Sequence, residues 1–212
     1  MKVLMLNGSA HLNGCTYTAL EEIGKTLKSE GVDYEIFQIG AKPIRDCMGC
    51  GKCREIGKCI FDDDDVNRFV ELAKDCDGFV FGTPVYFAHP SGRILSFLDR
   101  VFYSASCGGK YPAFAHKPST VVASARRGGT TASLDTLAKY FTIAQMPLVA
   151  STYWNMVHGN TPEQVKEDKE GLQTMRNIAH NMAWLLKSIE AGKQNSVPSP
   201  QNEYGEKTNF IR

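Results

Sequence analysis

The stretch Val3-Leu4-Met5-Leu6-Asn7-Gly8-Ser9-Ala10-His11-Leu12-Asn13-Gly14-Cys15-Thr16 decides how the chain is read. Four apolar residues run without interruption, then a polar loop follows. An apolar run of this length suits a strand buried on both faces, as in a parallel sheet. Beyond the loop, Leu20, Ile23 and Leu27 recur at helical spacing over residues 16–29, and Gly31 stops that helix. The loop therefore ends at a helix start, where free N–H groups and the helix dipole favour an anion. Ser9 and Thr16 add hydroxyls, and Gly8 and Gly14 admit a ligand close to the backbone. The loop is not G-x-G-x-x-G and lacks Gly-Lys-Ser/Thr, so a phosphate monoester is the simplest ligand. An ordinary strand-to-helix turn with a polar cap is the plainer alternative.

Working outward, the same alternation recurs. Apolar strand signals stand at residues 34–39, 78–82, 118–125 and 148–153. Helical stripes follow from Val66, from Ile94, over residues 131–144, and from Thr161-Pro162 to Ile189. Repeated strand and helix predict an α/β fold with a parallel sheet covered on both faces. Ligands of such sheets bind beyond the carboxyl ends of the strands. The loops at residues 7–16, 83–91 and 124–131 are therefore the ones to inspect. One domain is expected over residues 1–190, with a cysteine-rich loop at 43–61. A polar arm follows at 191–212, whose terminal Phe210-Ile211 is expected to dock on the body or on a neighbouring subunit.

Composition narrows the function. Among 212 residues, Lys+Arg is 24 and Asp+Glu is 23, a balance that excludes nucleic-acid binding by a basic surface. No apolar run reaches the length of a membrane span or a signal-peptide core. A cytoplasmic protein with reduced thiols is expected. Its seven cysteines are unevenly spread, four of them forming Cys47-x2-Cys50-x2-Cys53-x5-Cys59. Two-residue gaps bring thiolates within reach of one inorganic core, as in bacterial ferredoxins, and Gly49, Gly51 and Gly57 let the loop wrap it. Three other readings stay open: a four-thiolate zinc site, a Cys50/Cys53 redox pair, and thiols that bind nothing. Cys76 and Cys107 read as incidental. Asp62, Asp63, Asp64 and Asp65 read as the acidic start of a helix. His89, His116 and His180 have no partners in sequence and receive no role. The stretch from Trp154 to Gly159 follows the fifth strand and borders either the ligand site or a subunit contact.

The second loop, Thr83-Pro84-Val85-Tyr86-Phe87, offers a rigid proline, two aromatic rings and backbone amides. The third, Ser124-Ala125-Arg126-Arg127-Gly128-Gly129, pairs glycines with cations. Taken with Asn7-Gly8-Ser9, Gly14-Cys15-Thr16 and Leu98-Asp99-Arg100, these loops resemble the flavodoxin-like NAD(P)H-dependent FMN reductases. The cysteine run resembles that of the iron-sulfur flavoproteins, a branch of the same fold. The resemblance implies a doubly wound five-stranded parallel sheet in the order 2-1-3-4-5. It implies that Ser9, His11, Asn13, Gly14, Cys15 and Thr16 hold the FMN phosphate. His11 stands where many relatives carry Arg or Lys, and Cys15 where many carry Asn. Pro84, Val85, Tyr86 and Phe87 would line the isoalloxazine, with Tyr86 the candidate catalytic residue beside the ring. Ser124, Ala125, Arg126, Arg127, Gly128 and Gly129 would touch its rim. The implied activity takes hydride from NAD(P)H and reduces a quinone, a nitro or azo compound, or free flavin. One alternative is an electron carrier with a [4Fe-4S] cluster on Cys47, Cys50, Cys53 and Cys59, served by a ferredoxin. Another is a non-enzymatic flavin sensor. The expected assembly is a homodimer or homotetramer.

Overall fold

The computed structural model describes residues 1–210. Strand β1 (Lys2–Asn7) leads through the first loop into α1 (Cys15–Ser29), and β2 (Asp33–Gln38) follows. A long irregular segment comes next, broken only by the single turn α2 (Cys53–Ile56). Then come α3 (Val66–Lys74), β3 (Gly78–Tyr86), the two-residue β4 (His89–Pro90) and α4 (Gly92–Ala105). The chain continues with β5 (Ser119–Ala125), α5 (Thr130–Ile143), β6 (Met156–His158), α6 (Pro162–Glu167) and α7 (Lys169–Gln194). The main sheet runs β2-β1-β3-β5-β6, all parallel, and β4 folds back antiparallel on β3. With β4 set aside, this is the flavodoxin-like order 2-1-3-4-5.

Period-two alternation explains why both faces are covered. Val3 and Met5 of β1, Val80 of β3 and Val122 of β5 meet α1 and α7 on one face. Leu4, Leu6, Phe79, Phe81 and Val121 meet α3, α4 and α5 on the other. That second face is rich in aromatic rings, with Phe81 stacked on Phe141 at 4.3 Å and Phe69 edge-on to Phe37 at 5.2 Å.

Five expectations are corrected. The fifth strand is Met156–His158, not residues 148–153. Leu148 forms only an isolated bridge with Ser119, and the chain leaves the sheet after Val149. The Ser151 hydroxyl and the Asn155 side chain bond residues 151–155 to themselves and to Thr120, giving the backbone a local alternative to the ladder. Strand β3 runs on to Tyr86, so the second loop is largely the end of a strand and a tight hairpin. The helix expected from Thr161 breaks at Asp168, whose carboxylate caps α7 at Gly171 and also accepts the His158 N–H at 2.6 Å. Helix α7 reaches Gln194, so the irregular arm begins after it and not at Ala191. Of the terminal Phe210-Ile211, Phe210 is exposed and does not pack on the body of its own chain, and Ile211 lies outside the described residues. The arm instead touches the body through Tyr204, which meets Gln145 at 3.1 Å. Among the described residues no helix is long and apolar enough to cross a membrane.

Candidate functional site

At the carboxyl edge of the sheet, the three loops meet around one cleft of about 690 Å³. Clefts of roughly 300–1,000 Å³ accept ligands of cofactor size. Its first wall is the β1–α1 loop. Ser9, His11, Asn13, Gly14, Cys15 and Thr16 all line it. The loop is shaped by its own polar side chains: Asn7 accepts the Ser9 N–H at 3.2 Å, and the Ser9 hydroxyl accepts the His11 N–H at 3.1 Å. Gly8 donates to the Gly82 carbonyl at 2.8 Å. A Cβ at Gly8 would stand 2.7 Å from that carbonyl oxygen, so only glycine permits this approach of β1 to β3.

Helix α1 starts at this wall without a cap. Gly14 occupies the cap position, no side chain accepts the first N–H groups, and the first turn holds no acid. Among the described residues no side chain caps those donors, and Cys15 and Thr16, which begin the helix, line the cleft, which suits an anion. The residues that line the cleft include no carboxylate, whereas Arg126 and His11 stand at it. Burial pushes the Cys15 thiol up, so it is neutral and adds no negative charge. Thr16 and Ser124 bridge the first and third loops through a buried hydroxyl pair at 2.8 Å.

The second wall is Pro84, Val85 and Tyr86, the last residues of β3. The Thr83 hydroxyl accepts the Ser91 N–H at 3.2 Å, and the Ser91 hydroxyl donates to the Gly8 carbonyl at 3.1 Å. Ser91 also caps α4 at Ile94, so one serine ties both walls to that helix. Phe87 and Ala88 turn the hairpin with φ of 51° and 56°. Phe87 is fully exposed and lies outside the walls. Ala125 and Arg126 line the cleft with Ser124, but Arg127, Gly128 and Gly129 do not. Arg127 offers its carbonyl to the His158 ring at 3.1 Å. Gly129, at φ 97°, lies against the hairpin, where a Cβ would meet Ala88 Cα at 2.4 Å. A fourth segment lines the cleft as well: Gly159, the end of the stretch from Trp154 singled out above, and Asn160, Thr161 and Pro162, which the sequence reading does not pick. It is the loop after the fifth strand, and the rule that picked the other three would have found it had that strand been placed correctly.

The four clustered cysteines share a different recess. Cys47, Cys50, Cys53 and Cys59 line it together with Met48, Ile60 and Phe61. Cys59 is buried and Cys50 exposed, so the recess opens on one side. Gly49, Gly51 and Gly57 all adopt positive φ, between 64° and 74°, as the tight loop requires. Burial, followed by the neighbouring Cys50, pushes the Cys53 thiol up. Among the described residues no three His, Cys, Asp or Glu side chains are grouped to hold a single metal ion. Four cysteine side chains on one recess are the donor set that a zinc ion or an iron-sulfur cluster would require. The Asp62–Asp65 run is not a second site, because Lys58, Arg45, Arg100 and Arg68 each pair with one of its carboxylates.

The two sites share no lining residue. Arg93, near the start of α4, holds the Ala41 carbonyl at 3.1 Å and also the Lys42 carbonyl. From there the chain descends α4 until Cys53 reaches the Tyr103 carbonyl. At 1.5 Å per residue, the helix from Gly92 to Tyr103 spans about 16 Å. Cys53 thus meets α4 near its far end, about 16 Å along the axis from Gly92.

Comparison with known proteins agrees with this architecture. The model of the NADPH-dependent FMN reductase family matches residues 1–161. An iron-sulfur flavoprotein of Methanocaldococcus jannaschii is 28% identical over 202 residues, covering 90% of this chain and 100% of that protein. A flavone reductase structure superposes with a TM-score of 0.70 at 19% identity, over 90% of this chain and 64% of that one. A flavodoxin from the Archaea superposes with a TM-score of 0.58 at 14% identity, over 88% of this chain and 99% of that one. The chain belongs to the NADPH-dependent FMN reductase family of oxidoreductases.

Proposed function

We propose that the cleft binds FMN and that the protein uses it to pass reducing equivalents from NAD(P)H to a small acceptor such as a quinone, a nitro or azo compound, or free flavin. The observation that carries this reading is the uncapped, acid-free start of α1 in the wall of a cofactor-sized cleft. On this reading the N–H groups of α1 and the hydroxyls of Ser9 and Thr16 bind the phosphate. Pro84, Val85 and Tyr86 flank the ring, and Ser124 to Arg126 meet its edge. When bound, the flavin supplies the hydride and electron chemistry, and the chain's task is to orient it and limit water. The test is the purified protein supplied with FMN. Flavin absorbance that stays with the protein, and NAD(P)H oxidation that depends on added quinone, are expected. Retained flavin without turnover would leave a flavin-binding sensor, and failure to retain flavin would overturn the reading.

The gathering of four thiols at one recess favours an additional assignment: Cys47, Cys50, Cys53 and Cys59 hold a [4Fe-4S] cluster. A cluster supplies one-electron chemistry, which fits a ferredoxin as partner. About four irons per chain in anaerobically prepared protein is the expected assay result, and iron near zero would refute it. The exposed Phe87 and the exposed Tyr153–Trp154 pair, at 4.7 Å, are apolar surface that a homodimer or homotetramer would cover. Sedimentation of the holoprotein measures that assembly.

A further inference from the structure

Among the described residues, Arg100 is the only charged one among the fully buried large side chains, with 1% of its surface exposed. Taking a guanidinium out of water is costly unless its donors find acceptors. Nη1 pairs with the Asp64 carboxylate and donates to the Arg45 carbonyl at 3.3 Å. Nη2 donates to the Phe61 carbonyl at 3.1 Å. The remaining donor, Nε, points at the Cys59 sulfur, 3.3 Å away. A neutral thiol is a poor acceptor, and a sulfur carrying negative charge is a good one. Both partners are held in place. Asn67 pins Cys59 by accepting its N–H and donating to its carbonyl, each at 2.9 Å. Asp64 is fixed in turn by the Val66 N–H at the start of α3, at 3.2 Å. A fixed cation is thus aimed at one sulfur of the recess, with a fixed anion behind it.

We infer that Arg100 is a positioning and tuning residue of the cysteine site, raising the reduction potential of the cluster through its bond to Cys59, with Asp64 moderating its charge. The inference rests on the cluster assignment made above. Hydrogen bonds and positive charge at a ligand sulfur favour the reduced form, which carries one more electron and one more negative charge. A structural role alone, in which Arg100 latches the irregular loop to α4, would leave the potential unmoved.

The test is a redox titration of anaerobically prepared, iron-loaded protein with dithionite as the one-electron donor, followed by electron paramagnetic resonance. Arg100→Gln removes the charge and is expected to lower the potential by about a tenfold change in the reduction equilibrium, which is 59 mV for one electron. Arg100→Lys keeps the charge but loses the Nε geometry, and a smaller drop is expected. Asp64→Asn leaves Arg100 in place but unbalanced, and the potential should rise. FMN affinity should not change in any of the three, since none of these residues lines the cleft. Iron-loaded Gln and Asn variants with the parent potential overturn the inference and leave the cluster assignment standing. If the Gln variant does not fold or hold iron, the Asn variant decides alone, and no rise overturns the inference. Parent protein that binds FMN but no iron overturns the cluster assignment and this inference with it.

Discussion

The hydroxyl pair of Thr16 and Ser124 allows stability and cofactor binding to be separated. Both residues are buried, and their oxygens are 2.8 Å apart. Two hydroxyls carry two protons, and the bond between them uses one. The other is free to turn toward a ligand in the cleft that both residues line. Thr16→Val keeps the shape of the side chain but strands the Ser124 hydroxyl in a buried place. That costs about 1–3 kcal/mol, and each kcal/mol lowers the melting temperature by roughly 2–4 °C in a chain of this size. Adding Ser124→Ala removes the stranded partner, so the double variant should recover most of the apoprotein's stability. Binding should not recover. A hydrogen bond to a charged phosphate contributes about 1.5–3 kcal/mol, so the double variant should bind FMN some ten- to a hundredfold more weakly. Thermal unfolding of the apoprotein and quenching of FMN fluorescence measure the two quantities independently. A double variant as stable as the parent that still binds FMN with parent affinity would refute the reasoning. The pair would then be only a strut between α1 and β5.

Other outcomes follow from the same geometry. Gly129→Ala puts a Cβ 2.4 Å from the Ala88 backbone at a positive φ and should destabilise the protein by about 1–3 kcal/mol, read as a lower urea midpoint. Cys50→Ser should abolish the iron-sulfur absorption of anaerobic protein while leaving the flavin spectrum intact. Glu30, held down first by Lys187 and then by His180, and Asp33, held down by Lys28, both have folded pKa values below their ordinary range. The folded state therefore binds fewer protons, so stability present at neutral pH should decline below about pH 5. Urea midpoints at two pH values measure this, and high salt should shrink the difference because both pairs are exposed.

The parts of the fold that were legible in the sequence are those where one requirement dominates. Strand β1 and helix α1 announce themselves because β1 is buried on both faces and α1 on one, so their periodicities are clean. The fifth strand was misplaced because Leu148 and Val149 look like a strand and do begin beside β5, through the Val149 N–H and the Ser119 carbonyl at 2.8 Å. What ends that pairing is polar side-chain chemistry at Ser151 and Asn155, which periodicity does not register. That misplacement hides the cleft residues Asn160, Thr161 and Pro162, just past the stretch that ends at Gly159. The cysteine spacing was plain, yet the place of the cysteines was not. The loop's course is set by Arg93 and Arg100, which reach it from a helix 36 to 55 positions further along the chain. The one visible hint was the pair Asp99-Arg100 inside the apolar stripe of α4.

The hairpin between β3 and β4 shows where folding and function part. Phe87 and Ala88 both adopt positive φ, as the tight two-residue turn with right-handed strand twist demands. Asn-Gly would meet that demand at little cost, whereas ordinary L-residues lose about 1–2 kcal/mol each there. Phe87 recovers nothing by burial, since its ring is fully exposed. The conformation persists because the surroundings fix it: β4 pairs with β3, Gly129 leaves the room that Ala88 fills, and the Ser91 bonds tie the return strand to Gly8. Those same contacts hold Pro84, Val85 and Tyr86 extended along the wall of the cleft. Strain maintained at a site by a rigid frame accompanies ligand contact more often than it serves stability. The exposed Phe87 ring is therefore not something the core requires.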